Sequence, residues 1–153
     1  MMKEGEKSID FSLSNQDGKD VSLKDFKGKW LVLYFYPKDD TPGCTIEAID
    51  FTRLIGEFEK KNAAVIGISP DDARSHCNFQ EKHRLKITLL SDPSHKTLEK
   101  FGVWKEKSMY GRKYMGVERT TVLIDPKGVI KKVWNKVSVT DHARDVLGSV
   151  SVQ

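Results

Sequence analysis

The stretch that decides the fold is Trp30-Leu31-Val32-Leu33-Tyr34-Phe35-Tyr36-Pro37-Lys38-Asp39-Asp40-Thr41-Pro42-Gly43-Cys44. Its first seven residues are an apolar run too short for a helix, which fits a strand buried on both faces and ended by Pro37. From Cys44 onward the period changes. Cys44, Glu47, Ala48, Phe51, Leu54, Ile55 and Phe58 recur at spacings of three and four, one face of a helix of about four turns. Ala63-Ala64-Val65-Ile66-Gly67-Ile68 is a second short apolar run. Strand, helix and strand in this order predict a βαβ unit with parallel strands.

Toward the N-terminus, Phe11 and Leu13 alternate, the chain turns at Asn15-Gln16-Asp17-Gly18, and Val21 and Leu23 alternate again. That is a hairpin pattern. Toward the C-terminus, Ser69-Pro70-Asp71-Asp72 marks a second helix start, with the helix running to about Leu85. Ile87 to Leu90 reads as a strand and Pro93 to Phe101 as a short helix. Thr120 to Ile124 and Val129 to Trp134 flank Asp125-Pro126-Lys127-Gly128, whose Asp, Pro and Gly suit a type I turn. They predict an antiparallel hairpin, and helical residues from about Thr140 close the chain. The expected class is α/β: a thioredoxin-like fold with a central mixed sheet flanked by helices and an N-terminal β-hairpin. A length of 153 residues without repeats or linkers predicts one domain, 1–153.

Composition excludes several classes. Hydrophobic residues make up 38% and charged residues 31%, which is globular rather than disordered. No apolar run reaches the roughly 18 residues of a membrane span. Met1 to Lys7 lacks the apolar core of a secretory signal, so a cytoplasmic location is expected. The net charge of +4 comes from signs that alternate along the chain, as in Glu57-Phe58-Glu59-Lys60-Lys61, and reads as a solvated surface. Two cysteines without an export signal argue against a disulfide scaffold.

Cys44 falls just past the carboxyl end of a predicted central strand, the edge where open α/β sheets bind ligands. With Thr41 as N-cap, Pro42 takes the first helical position, where its missing N–H costs nothing. Cys44 is then third, where unpaired N–H groups and the positive end of the helix dipole favour an anion. Position alone leaves two readings open, a reactive thiol or a small buried hydrophobe sharing a stripe with Ala48 and Phe51.

The segment from Phe35 to Ala48 resembles the active-site segment of peroxiredoxins, with Pro37, Thr41 and Cys44 as the family's P-x-x-x-T-x-x-C. The longer match is similar to the bacterioferritin-comigratory-protein branch, also called PrxQ. Further segments agree in order: Gly67 to Asp71, Leu89 to Asp92, Ser108 to Gly116 and Val117 to Thr121. The resemblance implies a peroxidase for hydrogen peroxide and organic hydroperoxides, with no cofactor and no metal. In it the Cys44 thiolate attacks the outer peroxide oxygen and becomes a sulfenic acid. Thr41 hydrogen-bonds thiolate and peroxide, Arg119 supplies a cation, and Pro37 shields the pocket. From sequence context alone Arg119 is a strand-edge surface charge. The resemblance further implies a monomer recycled by thioredoxin or a similar thiol. One departure matters. Many members carry a resolving cysteine five residues after the reactive one, where this chain has Ile49. Others carry it in the second helix at the position aligned with Gln80, and Cys77 lies one turn earlier. Cys77 is therefore the expected resolving residue, exposed on the side Gln80 faces while Phe79 anchors the opposite face. A one-cysteine enzyme resolved by an external thiol is the alternative.

A magnitude shows why partners to the sulfur matter. Lowering a thiol pKa from about 8.5 to about 6 raises the thiolate fraction at pH 7 roughly 30-fold. The accompanying loss of nucleophilicity removes roughly 13-fold. Most of the acceleration must come from donors aimed at the breaking O–O bond.

Rival functions fit less well. A thiol–disulfide oxidoreductase wants Cys-x-x-Cys, and Cys44 is followed by Thr45-Ile46-Glu47. Cys44, His76, Cys77, His83 and His95 lack the close paired spacing of a structural zinc site. Lys105 to Lys113 is the one basic stretch that could serve a nucleic-acid module, and it lies inside the family match. His76 and His83, seven apart on one helix face, are expected to be solvated, and Trp30, Trp104 and Trp134 to belong to the core.

Overall fold

The computed structural model describes residues 2–150. In chain order the strands are β1 (Ser12–Asn15), β2 (Asp20–Ser22), β3 (Trp30–Phe35), β4 (Ala63–Ser69), β5 (Thr88–Ser91), β6 (Trp104–Met109), β7 (Arg112–Val117), β8 (Thr120–Ile124) and β9 (Ile130–Trp134). The α-helices are α1 (Pro42–Lys60), α2 (Ala73–His83), α3 (Lys96–Lys100) and α4 (His142–Ser149). Seven strands form one mixed sheet in the order β2-β1-β5-β4-β3-β8-β9, and β6 and β7 pair only with each other. β3–β4 and β4–β5 are parallel, the other pairs antiparallel.

Every side chain of β3 is buried, and its two faces feed two cores. Trp30, Val32, Tyr34 and the following Tyr36 join Phe51 and Phe58 of α1, Phe79 of α2 and Val146 of α4. Leu31, Leu33 and Phe35 join Phe11, Leu98, Phe101 and Ile130 on the other side. The unbroken apolar run is thus a strand alternating between two apolar layers. Tyr34 stacks on Phe51 with ring centroids 4.8 Å apart, which locks the α1 stripe to β3. Full burial of a side chain such as Phe51 contributes about 1.5–3 kcal/mol.

The thioredoxin-like class, the βαβ unit and both antiparallel hairpins are present. The N-terminal pair joins the main sheet through β1–β5, with Ser14 opposite Ser91. α2 differs at both ends from its expected span. Ser69 still pairs with Ser91 in β4–β5, so the helix cannot begin there, and Asp72 caps it by accepting from the Ser75 N–H at 2.8 Å. Arg84 then takes a left-handed conformation and the Leu85 N–H bonds the Gln80 carbonyl, which ends the helix before Leu85. The β6–β7 hairpin went unread because both its faces are largely exposed, which removes the alternating apolar signal. Trp30 is core, whereas Trp104 and Trp134 are half-buried, Trp104 stacked on His95 and Trp134 capped by Lys132. Among the described residues no helix is long and apolar enough to cross a membrane.

Gly67 marks the tightest packing in this framework. A Cβ there would lie 2.7 Å from Cζ of Tyr34 and 3.0 Å from Cδ2 of Leu89. We expect Gly67→Ala to destabilise the fold by about 1–3 kcal/mol through overpacking. Urea unfolding should show a lower midpoint at unchanged slope, and an unshifted midpoint would mean the Tyr34 ring yields freely.

Candidate active site

The site is assembled where β3 hands over to α1. Pro37, half-buried, ends the strand, and Asp40 turns the loop with a left-handed φ of 59°. Thr41 occupies the N-cap with extended backbone, and its carbonyl accepts from the Thr45 N–H at 2.8 Å. Cys44 is third in the helix, as expected, with 1% exposure. The Thr41 side chain does not cap the helix. Its hydroxyl donates to the Lys38 carbonyl at 2.8 Å, closing the loop on itself.

Arg119 comes from the two-residue link between β7 and β8, and it is not the surface charge its local sequence suggests. Its carbonyl accepts from the Val137 N–H at 2.9 Å, and the Glu118 N–H donates to the Val103 carbonyl at 2.8 Å, so the link is held on both sides. From there Nη2 reaches the Cys44 sulfur at 3.3 Å and Nη1 donates to Glu47 Oε1 at 2.7 Å. Gly43 leaves room for this approach: a Cβ there would sit 3.1 Å from Nη2, a tight contact. Burial works against the Arg119 charge, but Glu47 and Cys44 more than restore it, and its pKa is raised.

Glu47, in the sequence only a member of the α1 stripe, joins the site in the structure. A lone acid in that stripe, three residues after Cys44 and so on its face, was the available signal. It is 1% exposed, and among the described residues Oε2 has no hydrogen-bond partner, nor has the buried Tyr34 hydroxyl. Burial pushes the Glu47 carboxyl from 4.5 up to about 7, against the opposing pull of Arg119. Lys107 on β6 also belongs to this field. Burial and the Arg119 charge lower its pKa, and Cys44 and Glu118 raise it.

Cys77 lies on α2, half-buried rather than exposed, and its thiol donates to the Gln16 carbonyl at 2.9 Å in the β1–β2 turn. The Gln80 amide donates to the Ile87 carbonyl at 2.8 Å, and Phe79 is buried as expected. Both cysteines are free thiols. His76 overturns its expected solvation. It has 0% exposure, with Nδ1 2.7 Å from Asp39 Oδ2 and Nε2 3.0 Å from the Leu90 carbonyl oxygen. It shares a face with Phe79 three residues on, so the face that enters the core takes His76 with it. His83 is partly exposed and pairs with Asp40 at 2.9 Å.

Residues 5–133 match the AhpC/TSA family. A Bacillus subtilis protein named Peroxiredoxin Bcp is 50% identical over 143 residues, spanning 94% of this chain and 91% of that protein. The chain belongs to the AhpC/TSA family, among the Bcp peroxiredoxins. The Escherichia coli Peroxiredoxin Bcp is 42% identical over 95% of this peroxiredoxin and 94% of its own length. A cysteine-to-serine mutant of Xylella fastidiosa PrxQ superposes with a TM-score of 0.92 at 38% identity, covering 97% of this chain and 94% of that one. A Xanthomonas campestris bacterioferritin comigratory protein, studied for alkyl peroxide reduction in trapped intermediate and ligand complexes, gives a TM-score of 0.87 at 43% identity. It covers 92% of this chain and 89% of its own. The peroxiredoxin is accordingly a thiol-dependent peroxidase with a thioredoxin fold.

Its Glu47 generates a pH signature. A carboxyl raised to about 7 in the folded state holds a proton that the unfolded chain releases near 4.5. The stability from that proton is full below 4.5 and is lost as pH rises through about 7. Relative to Glu47→Gln, the parent should therefore lose stability across that window in urea titrations. Parallel profiles for the two proteins would show that Glu47 stays ionised beside Arg119 throughout.

Proposed function

We propose that Cys44 is the peroxidatic residue and that Thr41, Arg119 and Pro37 form the pocket in which it reacts. The observation that carries this reading is the single guanidinium shared between the Cys44 sulfur and Glu47 at the first turn of α1. The Cys44 thiolate attacks the outer oxygen of a hydroperoxide, the O–O bond breaks, and the leaving oxygen departs as an alcohol or water once protonated. Sulfur is oxidised by two electrons to the sulfenic acid and the peroxide is reduced by two. Arg119 is a donor in fixed position, so it stabilises the charge that moves from sulfur to leaving oxygen without reorganising. With its proton on the Lys38 carbonyl, the Thr41 hydroxyl has lone pairs to offer. Its role is therefore to accept from the peroxide O–H and orient the O–O bond, rather than to donate to the sulfur. Pro37, next to the loop, narrows the access of water.

Cys44→Ser should abolish peroxide consumption in a folded protein, and a variant that still turns over would falsify the assignment. Thr41→Val and Arg119→Met should each lower the second-order rate by about 100-fold or more, the usual loss for a preorganised hydrogen-bonding group. Their combination should cost less than the product, because both act on the same oxygens. Rates within a few-fold of the parent in both variants would place the reactivity in Cys44 alone.

Cys77 then resolves the sulfenic acid by attacking its sulfur, forming an intramolecular disulfide and releasing water. A dithiol reductant such as thioredoxin returns both cysteines to thiols in a monomeric, cytoplasmic enzyme. The Cys77–Gln16 contact favours the alternative of an external resolving thiol, since it holds the Cys77 sulfur on the N-terminal hairpin. Intact mass after one equivalent of peroxide separates the two. The parent should lose two hydrogens and Cys77→Ser should gain one oxygen. A parent that itself gains oxygen removes Cys77 from the cycle.

A further inference from the structure

The large apolar side chains left exposed are not scattered over the surface. Among the described residues there are five, and four of them, Met109, Tyr110, Tyr114 and Met115, sit on the β6–β7 hairpin. The fifth, Ile46, is two residues past Cys44. Exposed apolar residues are ordinary singly and informative when they gather. Tyr110 is 99% exposed and takes a left-handed φ of 51°, followed by Gly111 at 79°. A two-residue turn with both φ positive is best served by Asn-Gly. The turn thus carries an aromatic ring that neither backbone conformation nor burial calls for.

Register sorts the hairpin into two faces. Side chains directly opposite each other share a face, and Lys107 pairs with Tyr114 and Met109 with Arg112. Successive positions alternate, so Lys105, Lys107 and Met109 of β6 stand on one face with Arg112, Tyr114 and Gly116 of β7. The side chains of that face are cations or apolar groups, and none is an acid. A Cβ at Gly116 would lie 3.4 Å from Lys107 Cδ and 3.5 Å from Tyr114 Cε2, so the lysine stem and the ring flank an open strip of backbone. The face adjoins the site, since Lys107 stands in the field of Cys44 and Arg119. The opposite face carries Glu106, Ser108, Lys113 and Met115. At its base Val117 is buried and Trp104 stacks on His95 with centroids 3.8 Å apart, which anchors the ribbon.

We propose that the face of Lys107, Met109, Arg112 and Tyr114, with Tyr110 at its tip and Ile46 beside Cys44, is where the protein dithiol that reduces the oxidised enzyme docks. The inference rests on a protein dithiol as the recycling reductant. The partner this surface fits has apolar side chains around its reactive thiol and carboxylates at the rim. A second copy of this chain does not fit, since the chain carries a net charge of +4 and the face offers only cations and apolar groups to its own image. An anionic lipid surface matches the charge but brings no thiol to the sulfur that the face borders. On the docked partner one thiolate attacks the Cys44–Cys77 disulfide, forms a mixed disulfide and expels the other sulfur as a thiolate. The partner's second thiol then breaks the mixed bond. Two electrons pass to the enzyme, its cysteines take up the two protons, and the partner leaves as a disulfide. Methionine adapts its shape and tyrosine gives contact area at low entropic cost, which suits a contact that forms and releases in every cycle.

The test measures steady-state hydrogen peroxide reduction with a bacterial thioredoxin and its reductase, and with dithiothreitol, which needs no docking surface. The variants are the double change Met109→Ser/Tyr110→Asn, Arg112→Glu and, on the other face, Met115→Ser. The kcat/KM for thioredoxin should fall about tenfold in the double variant and about fivefold in Arg112→Glu, the losses expected of interface anchors and of a steering charge. In the parent it should fall with added salt, and less steeply in Arg112→Glu. Met115→Ser should stay within about twofold of the parent, as should every variant with dithiothreitol and in the rate of Cys44 oxidation. Unchanged thioredoxin kinetics in the double variant and in Arg112→Glu overturn the docking surface and leave the reductant reading intact. An equal loss in Met115→Ser overturns the assignment of the face. Loss of binding to phosphatidylglycerol vesicles in the double variant, with thioredoxin kinetics unchanged, makes the face a lipid surface instead. A parent turned over by dithiothreitol but not by thioredoxin overturns both readings.

Discussion

Removing a carboxyl and a thiol from water at one point costs several kcal/mol for each ionised group unless a cation is brought to both. Arg119 meets that constraint, and much of the molecule is arranged around its doing so. Its guanidinium must reach the first turn of α1 from a link two residues long, so β7 and β8 have to end within its span. The turn it approaches leaves room at Gly43, where a Cβ would sit 3.1 Å from Nη2. Glu47 must stand one helical turn beyond Cys44, on the same face, to hold the second nitrogen. The compensation is incomplete at Glu47, whose second oxygen has no partner among the described residues, and burial raises its carboxyl to about 7 against the pull of Arg119.

The sheet supplies the rigidity this arrangement requires. β3 is buried on both faces and contributes aromatic side chains to the layer beneath α1, so the helix start is fixed in depth and rotation. The helix dipole and the guanidinium then act on the sulfur from fixed positions. Preorganisation of this kind explains why the loop between strand and helix is itself so heavily bonded. Thr41 closes it on Lys38, and Asp39 ties it to Asp71 and His76.

How much of this is legible in the sequence depends on whether an element's burial or turn chemistry shows locally. The β3 run, the α1 stripe and the Asp-Pro-Lys-Gly turn were readable because apolar periodicity or turn chemistry leaves a local mark. β6 and β7 leave none, since they bury little. Arg119 and Glu47 define their pairing over a separation no local window spans, and only the family resemblance brought Arg119 into view. His76 differs from its expected solvation for another reason: a helix face is buried as a unit and takes its polar members along if they find partners. Asp39 is that partner, and it belongs to a loop on the far side of the βαβ crossover.

The accessibility of the sulfur atoms has a chemical consequence of its own. Met109 and Met115 on the β6–β7 hairpin are 57% and 51% exposed, whereas Cys44 is 1% exposed. An oxidant colliding at random meets the thioethers far more often than the thiol. A peroxidase that reacts at Cys44, as proposed, must draw its selectivity among these sulfurs from ionisation and aimed donors, against collision frequency. The hairpin stands in the same electrostatic field as Cys44 through Lys107. Oxidation of these methionines to sulfoxides turns two exposed apolar side chains of a charged hairpin polar.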